Sequence, residues 1–282
     1  MRLPGPDYQA PAKLNLFLHV LGRRDDGYHL LQSVFTLVDL CDRIRLAVRT
    51  DGVIARVSEL AGVPAERDLV VRAARLLKEA TGARQGVDIE VEKHIPLGGG
   101  LGGGSSDAAT VLMALDRLWN TGLGADALRT LALPLGADVP FFIFGQSAWA
   151  EGIGDRLQPV EVPERWYAIL APAVMVPTEA VYGDPELTRD TEALKMEDFS
   201  AQPQSPRFHN DLEAVVTARY PLVRAHLEWL RARAPARMTG SGGCVFAGFE
   251  SREAAQRVIG ELPASMTGFV ARGLTHHPLR TQ

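Results

Sequence analysis

Apolar and polar positions alternate over residues 87–92, and this period of two predicts a half-buried strand. An apolar run follows at 108–115, and its composition is that of a helix. Ser105, Ser106 and Asp107 stand immediately before that run, and all three residue types favour the N-cap position of a helix. We therefore predict a helix that begins near Ser105 and ends at about Trp119.

The same patterns predict further elements along the chain. Strands are predicted at 13–21, 33–39, 42–48, 166–172, 237–248 and 268–272, and helices at 69–80, 125–131, 211–219, 221–233 and 252–260. Strands and helices that mix without strict alternation indicate the α+β class. The proline-bounded stretch 158–163 is the best candidate for a boundary, and it divides the chain into predicted domains 1–158 and 159–282.

Between the strand and the helix lie six glycines in seven residues, from Gly98 to Gly104. Glycine loses more backbone entropy on folding than any other residue, so such a run favours a place where backbone must approach another group closely. A glycine loop before a helix N-terminus collects free N–H groups, which suits a polyphosphate. A flexible linker is the alternative, but linkers rarely lie between a patterned strand and a capped helix. A valine at Gly103 is expected to block a positive φ and the approach of a phosphate.

Two familiar phosphate loops fit this run poorly. The Walker pattern fails because no lysine follows the glycines. The dinucleotide pattern G-x-G-x-x-G is met by Gly98, Gly100 and Gly103, but so dense a run meets it almost by chance. The preceding strand is also half-polar, whereas a dinucleotide fold normally has a continuously apolar strand at that point.

Two charged residues stand in apolar surroundings. Asp138 is flanked by glycine, proline and aromatic residues, so it is either paired or functional if buried, or else part of a surface turn. Lys13 lies in an otherwise apolar predicted strand, where the ordinary alternative is an edge-strand lysine that points to solvent.

The segment 96–106 resembles the nucleotide loop of the GHMP small-molecule kinases. Its doubled triple glycine is most similar to the branch that phosphorylates a cytidine diphosphate-linked methylerythritol in non-mevalonate isoprenoid biosynthesis. The segments 11–18 and 22–29 are similar to the opening signature of that branch, and 239–246 resembles the third motif of the family. The motifs keep the order of the family and span nearly the whole chain.

This resemblance implies a GHMP kinase fold, with an N-terminal domain like domain 2 of ribosomal protein S5, a C-terminal ferredoxin-like domain and an active site in the cleft between them. It also implies transfer of a phosphoryl group from ATP to the 2-hydroxyl of that small-molecule substrate. Two alternatives stay open. Another kinase of the family, of the homoserine or mevalonate type, is disfavoured by the segment 27–29. A catalytically silent nucleotide-binding module would not be expected to keep both Lys13 and Asp138.

The site residues that the resemblance implies fall into three groups. Lys13 and Asp138 are the catalytic pair, with Asp138 either the general base or an orienting group and Lys13 holding it ionised. The nucleotide is expected to contact Pro96, Leu97, Gly98, Gly99, Gly100, Leu101, Gly102, Gly103, Gly104, Ser105 and Ser106. Ser106 is also the expected protein ligand of Mg²⁺, directly or through water. The substrate is expected to contact Asn15, Tyr28, His29, Thr178 and Tyr182, with Tyr28 and Tyr182 stacking on the cytosine.

Composition adds expectations about partners and location. Hydrophobic residues make up 46% of the chain, charged residues 23%, and the formal net charge is -4, with no run of basic residues. We therefore expect no nucleic-acid or membrane partner, and a monomer or weak homodimer. The start of the chain lacks the apolar core of a signal peptide and Cys41 and Cys244 lie far apart, so a cytoplasmic location is expected. The histidines show no ligand spacing with cysteine or carboxylate, so no zinc site is expected.

Overall fold

The computed structural model describes residues 3–60 and 62–280. Its two longest elements are the antiparallel strands β1 (Tyr8–Arg23) and β2 (His29–Arg49), which pair from Tyr8 with Ile44 to Arg23 with His29. The outer limits of the two predicted domains, at residues 1 and 282, lie outside the described residues.

The prediction of two separate strands at 33–39 and 42–48 is wrong, because β2 is one continuous strand. Its pairing with β1 shifts register at three points, and one of them lies between the two predicted strands, since Ala12 pairs with Val38 but Pro11 pairs with Cys41. The bulge at residues 39–40 interrupts the alternation of apolar and polar positions without ending the strand.

The other predicted elements occur in the predicted order with shifted ends. The sequence did not predict the strands at 54–56, 148–151 and 156–159 or the helices at 139–144, 178–182 and 196–201. The other strands are β3 (Ile54–Arg56), β4 (Gly86–Glu92), β5 (Ala148–Glu151), β6 (Arg156–Pro159), β7 (Trp166–Leu170), β8 (Ala236–Met238), β9 (Val245–Phe249) and β10 (Gly268–Leu274). The helices are α1 (Leu69–Thr81), α2 (Gly103–Leu118), α3 (Gly124–Ala132), α4 (Val139–Phe144), α5 (Thr178–Tyr182), α6 (Met196–Ala201), α7 (Leu212–Arg219), α8 (Pro221–Arg231) and α9 (Arg252–Gly260). Strands and helices mix without strict alternation, so the predicted α+β class is confirmed.

One hydrogen-bonded sheet runs through both parts of the chain, in the order β3-β4-β2-β10-β7-β9-β8. The connection between the parts is the antiparallel pair of β2 and β10, in which Val38 pairs with Gly273 and Leu37 with Leu274. Strands β1 and β5 also pair with β2, and β6 pairs back onto β5. Pro159, the first residue of the predicted second domain, is therefore the last residue of β6 in the first part.

Apolar side chains form three buried clusters around this sheet. The first lies where α1, α2 and α4 cover β2 and β4, and includes Leu77, Ile89, Leu112 and Phe141. The second joins β1 to β7 through an aromatic group, and the third packs α7 and α8 against β9. Within the described residues every helix is too short or too polar to cross a bilayer.

Helix α2 begins two residues earlier than predicted, and the predicted caps are wrong. Its N-cap is Gly102, which has a φ of 72°, and no side chain caps this end. Ser105, Ser106 and Asp107 lie inside the helix, and the last two are buried. A glycine at the cap leaves the first amides of the helix uncovered by any side chain, which is the arrangement that a bound anion requires.

Candidate active site

A cavity of about 680 Å³ lies between the glycine loop and the opening strands of the chain on one side, and α5 with the loop after β8 on the other. It is lined by every residue predicted for the nucleotide, the substrate and the catalytic pair except Ser106. The structure therefore brings together positions from 13 to 241 that are remote in sequence.

The glycine loop takes a backbone conformation that other residues rarely adopt. Gly98, Gly100 and Gly102 have φ values of 67°, 75° and 72°. Gly103 lies inside α2 and does not have a positive φ, so the backbone reason predicted for the effect of a valine there is wrong, whereas the blocked approach of a phosphate stays a prediction. A Cβ at Gly103 would instead lie 3.1 Å from a methyl carbon of Ile95.

Backbone contacts hold the loop between the two parts of the chain. The amide of Lys13 in β1 donates to the carbonyl of Leu101 at 2.9 Å, and the amide of Cys244 donates to the carbonyl of Gly99 at 3.0 Å. A Cβ at Gly100 would overlap the carbonyl of Thr239. The loop is thus fixed by its neighbours, and the first amides of α2 lie in residues that line the cavity.

Beneath the loop lies a buried cluster of one lysine and two carboxylates. Lys93 contacts Asp42, and its Nζ donates to Asp107 Oδ2 at 2.7 Å. Asp42 also accepts from the amides of His94 and Ile95, at 2.6 and 2.8 Å. Burial raises the pKa of Asp107, and the carboxylates of Asp107 and Asp42 raise the pKa of Lys93 against the effect of its own burial.

Ser106 is fully buried one residue before Asp107 and does not line the cavity. Within the described residues, neither Ser106 Oγ nor Asp107 Oδ1 has a hydrogen-bond partner. Two hard oxygen atoms therefore remain unpaired directly below the start of α2, and oxygen atoms of this kind are the ligands that Mg²⁺ prefers.

Lys13 and Asp138 meet at the floor of the cavity. Lys13 Nζ lies 3.5 Å from Asp138 Oδ2, and the side chain of Lys13 is only 4% exposed whereas that of Asp138 is 35% exposed. The ammonium also donates to Asn15 Oδ1 and lies 5.1 Å from the centre of the Phe35 ring. The edge-strand alternative for Lys13 is therefore wrong, because its side chain points into the protein.

Asp138 holds the N-cap position of α4, but its carboxylate does not cap the helix. The ammonium of Lys13 lies on one side of this carboxylate and the cavity on the other, so the carboxylate is accessible from the cavity. The arrangement suits a group that accepts a proton or a hydrogen bond from a bound alcohol.

At the far end of the cavity, His29 is held by a residue that the sequence did not identify. Arg189 Nε donates to His29 Nε2 at 3.1 Å, and because a guanidinium only donates, the ring proton must lie on Nδ1. Burial, followed by the charges of Arg189 and Arg23, lowers the pKa of His29. The ring is therefore neutral at pH 7 and offers one N–H donor.

Aromatic side chains border His29. Its ring centre lies 4.9 Å from that of Tyr182, with the planes 31° apart. Tyr28 also lines the cavity and is 58% exposed. Two tyrosines and an imidazole donor at one end of a cavity form a site suited to a flat, hydrogen-bonding ring.

The other predicted substrate residues are placed differently. Asn15 is buried, and both polar atoms of its side chain have partners. Its Oδ1 accepts from the ammonium of Lys13, and its Nδ2 donates to Ser33 Oγ at 2.9 Å. Thr178 Oγ1 lies 2.8 Å from Ser241 Oγ, a contact that joins α5 to the loop after β8. Asn15 thus orients Lys13, and Thr178 closes the side of the cavity.

The sequence did not identify Arg189, Ser241, Lys93 or Phe35 as part of this site. Arg189 carries no local pattern, because it reaches His29 only through the packing of the second part of the chain. Ser241 lies in the motif 239–246 but was not singled out as a site residue. The separation of Lys93 and Asp107 along the chain did not indicate that their side chains meet. Phe35 lies in an apolar predicted strand, where its sequence pattern is that of an ordinary core residue.

Comparisons with known proteins agree with this arrangement. The model of the GHMP kinases N terminal domain matches residues 68–146, and that of the GHMP kinases C terminal matches residues 190–268. A protein of Aromatoleum aromaticum named 4-diphosphocytidyl-2-C-methyl-D-erythritol kinase is 56% identical over 274 residues, which cover 97% of this chain and 95% of that protein. A protein of Thiobacillus denitrificans with the same name is 58% identical over 272 residues, which cover 96% of each.

Solved structures of kinases also match nearly the whole chain. A crystal structure of 4-(cytidine 5'-diphospho)-2C-methyl-D-erythritol kinase matches with a TM-score of 0.83 and 36% identity, covering 95% of this chain and 99% of that one. A homoserine kinase from Cytophaga hutchinsonii matches with a TM-score of 0.72 and 20% identity, covering 98% of this chain and 97% of that one. At that identity the second likeness concerns the fold alone.

Proposed function

Because this chain belongs to the GHMP kinases, and within them to the 4-diphosphocytidyl-2-C-methyl-D-erythritol kinases, we propose that its cavity binds that cytidine-bearing alcohol and transfers the γ-phosphoryl group of ATP to its 2-hydroxyl. The chain is an ATP-dependent kinase of a small molecule and has the α+β fold of the family. The observation that carries the proposal is the Lys13–Asp138 pair, which shares one cavity with the glycine loop and with His29.

The nucleotide phosphates would lie against the glycine loop and the first turn of α2. The amides of Gly103, Gly104 and Ser105 have no partner within the helix, and the helix dipole places partial positive charge at the same point. Pro96 and Leu97 extend the lining of the cavity beyond the loop, where they suit the base of the nucleotide. Phosphoryl transfer depends mainly on such positioning and on neutralised charge.

The alcohol would be positioned and activated by the catalytic pair. Asp138 accepts the proton or hydrogen bond of the 2-hydroxyl, and Lys13 pairs with the carboxylate from its buried side. Asn15 and Phe35 fix the ammonium of Lys13, so the carboxylate has one stable partner. The same ammonium offsets negative charge that develops on the transferring group.

Mg²⁺ is part of the proposal, and the residues present suit it. Ser106 Oγ and Asp107 Oδ1 are the unpaired oxygen atoms below the loop, and Ser106 is the proposed ligand, directly or through water. When bound, the ion would neutralise phosphate charge.

The cytosine ring would lie between Tyr28 and Tyr182, with the Nδ1–H of His29 as a donor to the base. Base–aromatic stacking is worth about 1–3 kcal/mol per base, which is enough to orient the rest of the substrate. Thr178 and Asn15 remain proposed substrate contacts, with Asn15 beside Lys13 for the erythritol part.

An ADP-release assay across a panel of alcohols tests the proposed function. We expect turnover with the cytidine-bearing methylerythritol, phosphorus NMR of the product showing a new phosphate at O2, and no turnover with homoserine or mevalonate. Turnover with either of those instead would reassign the substrate. ATP binding without turnover of any alcohol would favour the silent module.

Four features remain proposals from the sequence. These are the division of the chain at residues 158 and 159, a cytoplasmic location, the absence of nucleic-acid and membrane partners, and a monomeric or weakly dimeric state. Both cysteines are free thiols, Cys41 partly buried and Cys244 buried, which suits a reducing compartment.

A further inference from the structure

His19 is a buried histidine of β1. His19 is 1% exposed, and within the described residues neither nitrogen of its ring makes a hydrogen bond. The Phe17 ring packs against it edge-on, with ring centres 4.9 Å apart. Leaving both nitrogens of a buried imidazole unpaired is costly, so the position requires an explanation that packing alone does not supply.

Two further ligand groups lie beside this ring. His209 and Asp211 precede α7, and together with His19 they offer one ligand atom each, all within 4.8 Å of one another. The ring centres of His19 and His209 are 4.7 Å apart, and His209 Nε2 lies 2.8 Å from Asp211 Oδ1. Sequence spacing did not predict this group, because the ligands come from β1 and from a segment far along the chain.

The carboxylate of Asp211 is already oriented by its second oxygen. Asp211 Oδ2 accepts from the amide of Val20 and from Thr191 Oγ1, both at 2.7 Å. Those bonds leave Oδ1 directed to the histidines and fix it there. Metal sites commonly show this arrangement, in which neighbouring groups orient each ligand.

We propose that His19, His209 and Asp211 form a Zn²⁺ site that joins β1 to the segment before α7. The ligand atoms of a tetrahedral zinc ion lie about 3.3 Å apart, so the His209 side chain, which is 55% exposed, would have to move for the ion to bind. Two imidazoles and a carboxylate favour zinc over Mg²⁺, which prefers oxygen ligands. The fourth position is open to water on the side of His209.

This site lies apart from the kinase cavity. None of its three ligands lines that cavity, and the backbone of Leu18 pairs with His209 and Asp211 through hydrogen bonds of 2.9 Å. The zinc ion would therefore reinforce a connection between the two parts of the chain rather than take part in phosphoryl transfer.

Calorimetric titration of the metal-stripped, nucleotide-free protein with Zn²⁺ tests the proposal, with thermal unfolding as the second readout. The variant is His209→Ala, since that side chain is exposed and its loss should preserve the fold and the kinase activity. The matched control is His276→Ala, another exposed histidine. Circular dichroism and ADP release verify that each variant is folded.

We expect one Zn²⁺ per chain and a higher Tm with zinc for the unmodified protein and for His276→Ala. His209→Ala should bind zinc at least about 10-fold more weakly and show no rise in Tm. Excess Mg²⁺ should not displace the zinc. The proposal is overturned by absence of stoichiometric binding, by equal binding in His209→Ala, or by displacement with Mg²⁺.

Discussion

At the scale of single residues, Lys13 illustrates what a sequence leaves open. Its place in an apolar strand fits both an exposed edge lysine and a buried functional one, and the choice depends on contacts from distant segments. In the fold its ammonium meets Asn15, Asp138 and the Phe35 ring. The motif resemblance identified the pair, but its burial required the packed structure.

Replacing Asp138 with asparagine should keep the fold and ATP affinity and lower turnover by about 10²–10⁴. The amide cannot accept the proton of the alcohol, and it leaves Lys13 without its anionic partner. ADP release and ATP calorimetry measure the two properties separately. Asp126→Asn is the control, because Asp126 is an exposed residue of α3 that forms only a surface pair with Arg129. Near-native turnover of the Asp138 variant would remove that residue from the proposed role.

Arg189 is predicted to act through His29. Arg189→Ala removes the donor that keeps the proton on Nδ1, so KM for the cytidine-bearing alcohol should rise while kcat changes much less. Arg189→Lys keeps one donor and should restore part of the affinity. Nitrogen NMR of the His29 ring reports the tautomer directly. An unchanged tautomer in Arg189→Ala would contradict this account.

At the scale of elements, the glycine loop and the helix after it were predicted correctly in kind and wrongly in detail. Serine and aspartate are good caps, yet the helix begins at Gly103 with Gly102 as its cap. Propensity favours a side-chain cap, but a loop that leaves amides free for an anion needs an end without one. The disagreement therefore falls where function is expected to override local preference.

Gly100→Ala should weaken ATP binding at least about 10-fold and lower the free energy of unfolding by about 1–2 kcal/mol. Its φ is 75°, and the new Cβ would overlap the Thr239 carbonyl, so the loop must move. Calorimetry with ATP and urea unfolding measure the two effects. Gly260→Ala is the control, because a Cβ there meets nothing within 4 Å. Unchanged ATP affinity in Gly100→Ala would mean that the phosphates bind elsewhere.

At the scale of the whole molecule, the two parts are joined more closely than their sequence boundary suggests. Strand β10 pairs with β2, and the last described residues return to the first part, where the amide of His277 donates to the carbonyl of Gly145 at 2.8 Å. Such long-range pairings have no signature in local periodicity. The types of most elements were therefore predictable, whereas this pairing was not.

The C-terminal connection should make stability depend on pH. Burial, followed by the charge of Arg280, lowers the pKa of His277 to about 3. The unfolded chain binds this proton near pH 6.5, whereas the folded chain does not bind it until about pH 3. The free energy of unfolding is therefore highest above pH 6.5 and falls as the pH drops below that value. Between pH 6.5 and 5, this one group should lower the free energy of unfolding by about 2 kcal/mol.

Urea unfolding at pH 7.5 and 5.0 measures this contribution. His277→Asn should lose less stability on acidification than the unmodified protein, by about 2 kcal/mol, whatever its stability at pH 7.5. His276→Asn, which changes the exposed neighbour, should behave like the unmodified protein. Equal losses in His277→Asn and the unmodified protein would contradict the assignment.

The central claim is that one cavity couples recognition of a cytosine to phosphorylation of a remote hydroxyl. Its most direct test compares kcat/KM for the cytidine-bearing methylerythritol with that for the same alcohol carrying only a phosphate, in the unmodified enzyme and in His29→Ala. Binding energy from the base orients the hydroxyl, so the truncated alcohol should lose kcat as well as affinity. His29→Ala should reduce this preference while ATP affinity stays unchanged. Equal kcat/KM for the two alcohols in the unmodified enzyme would contradict the claim.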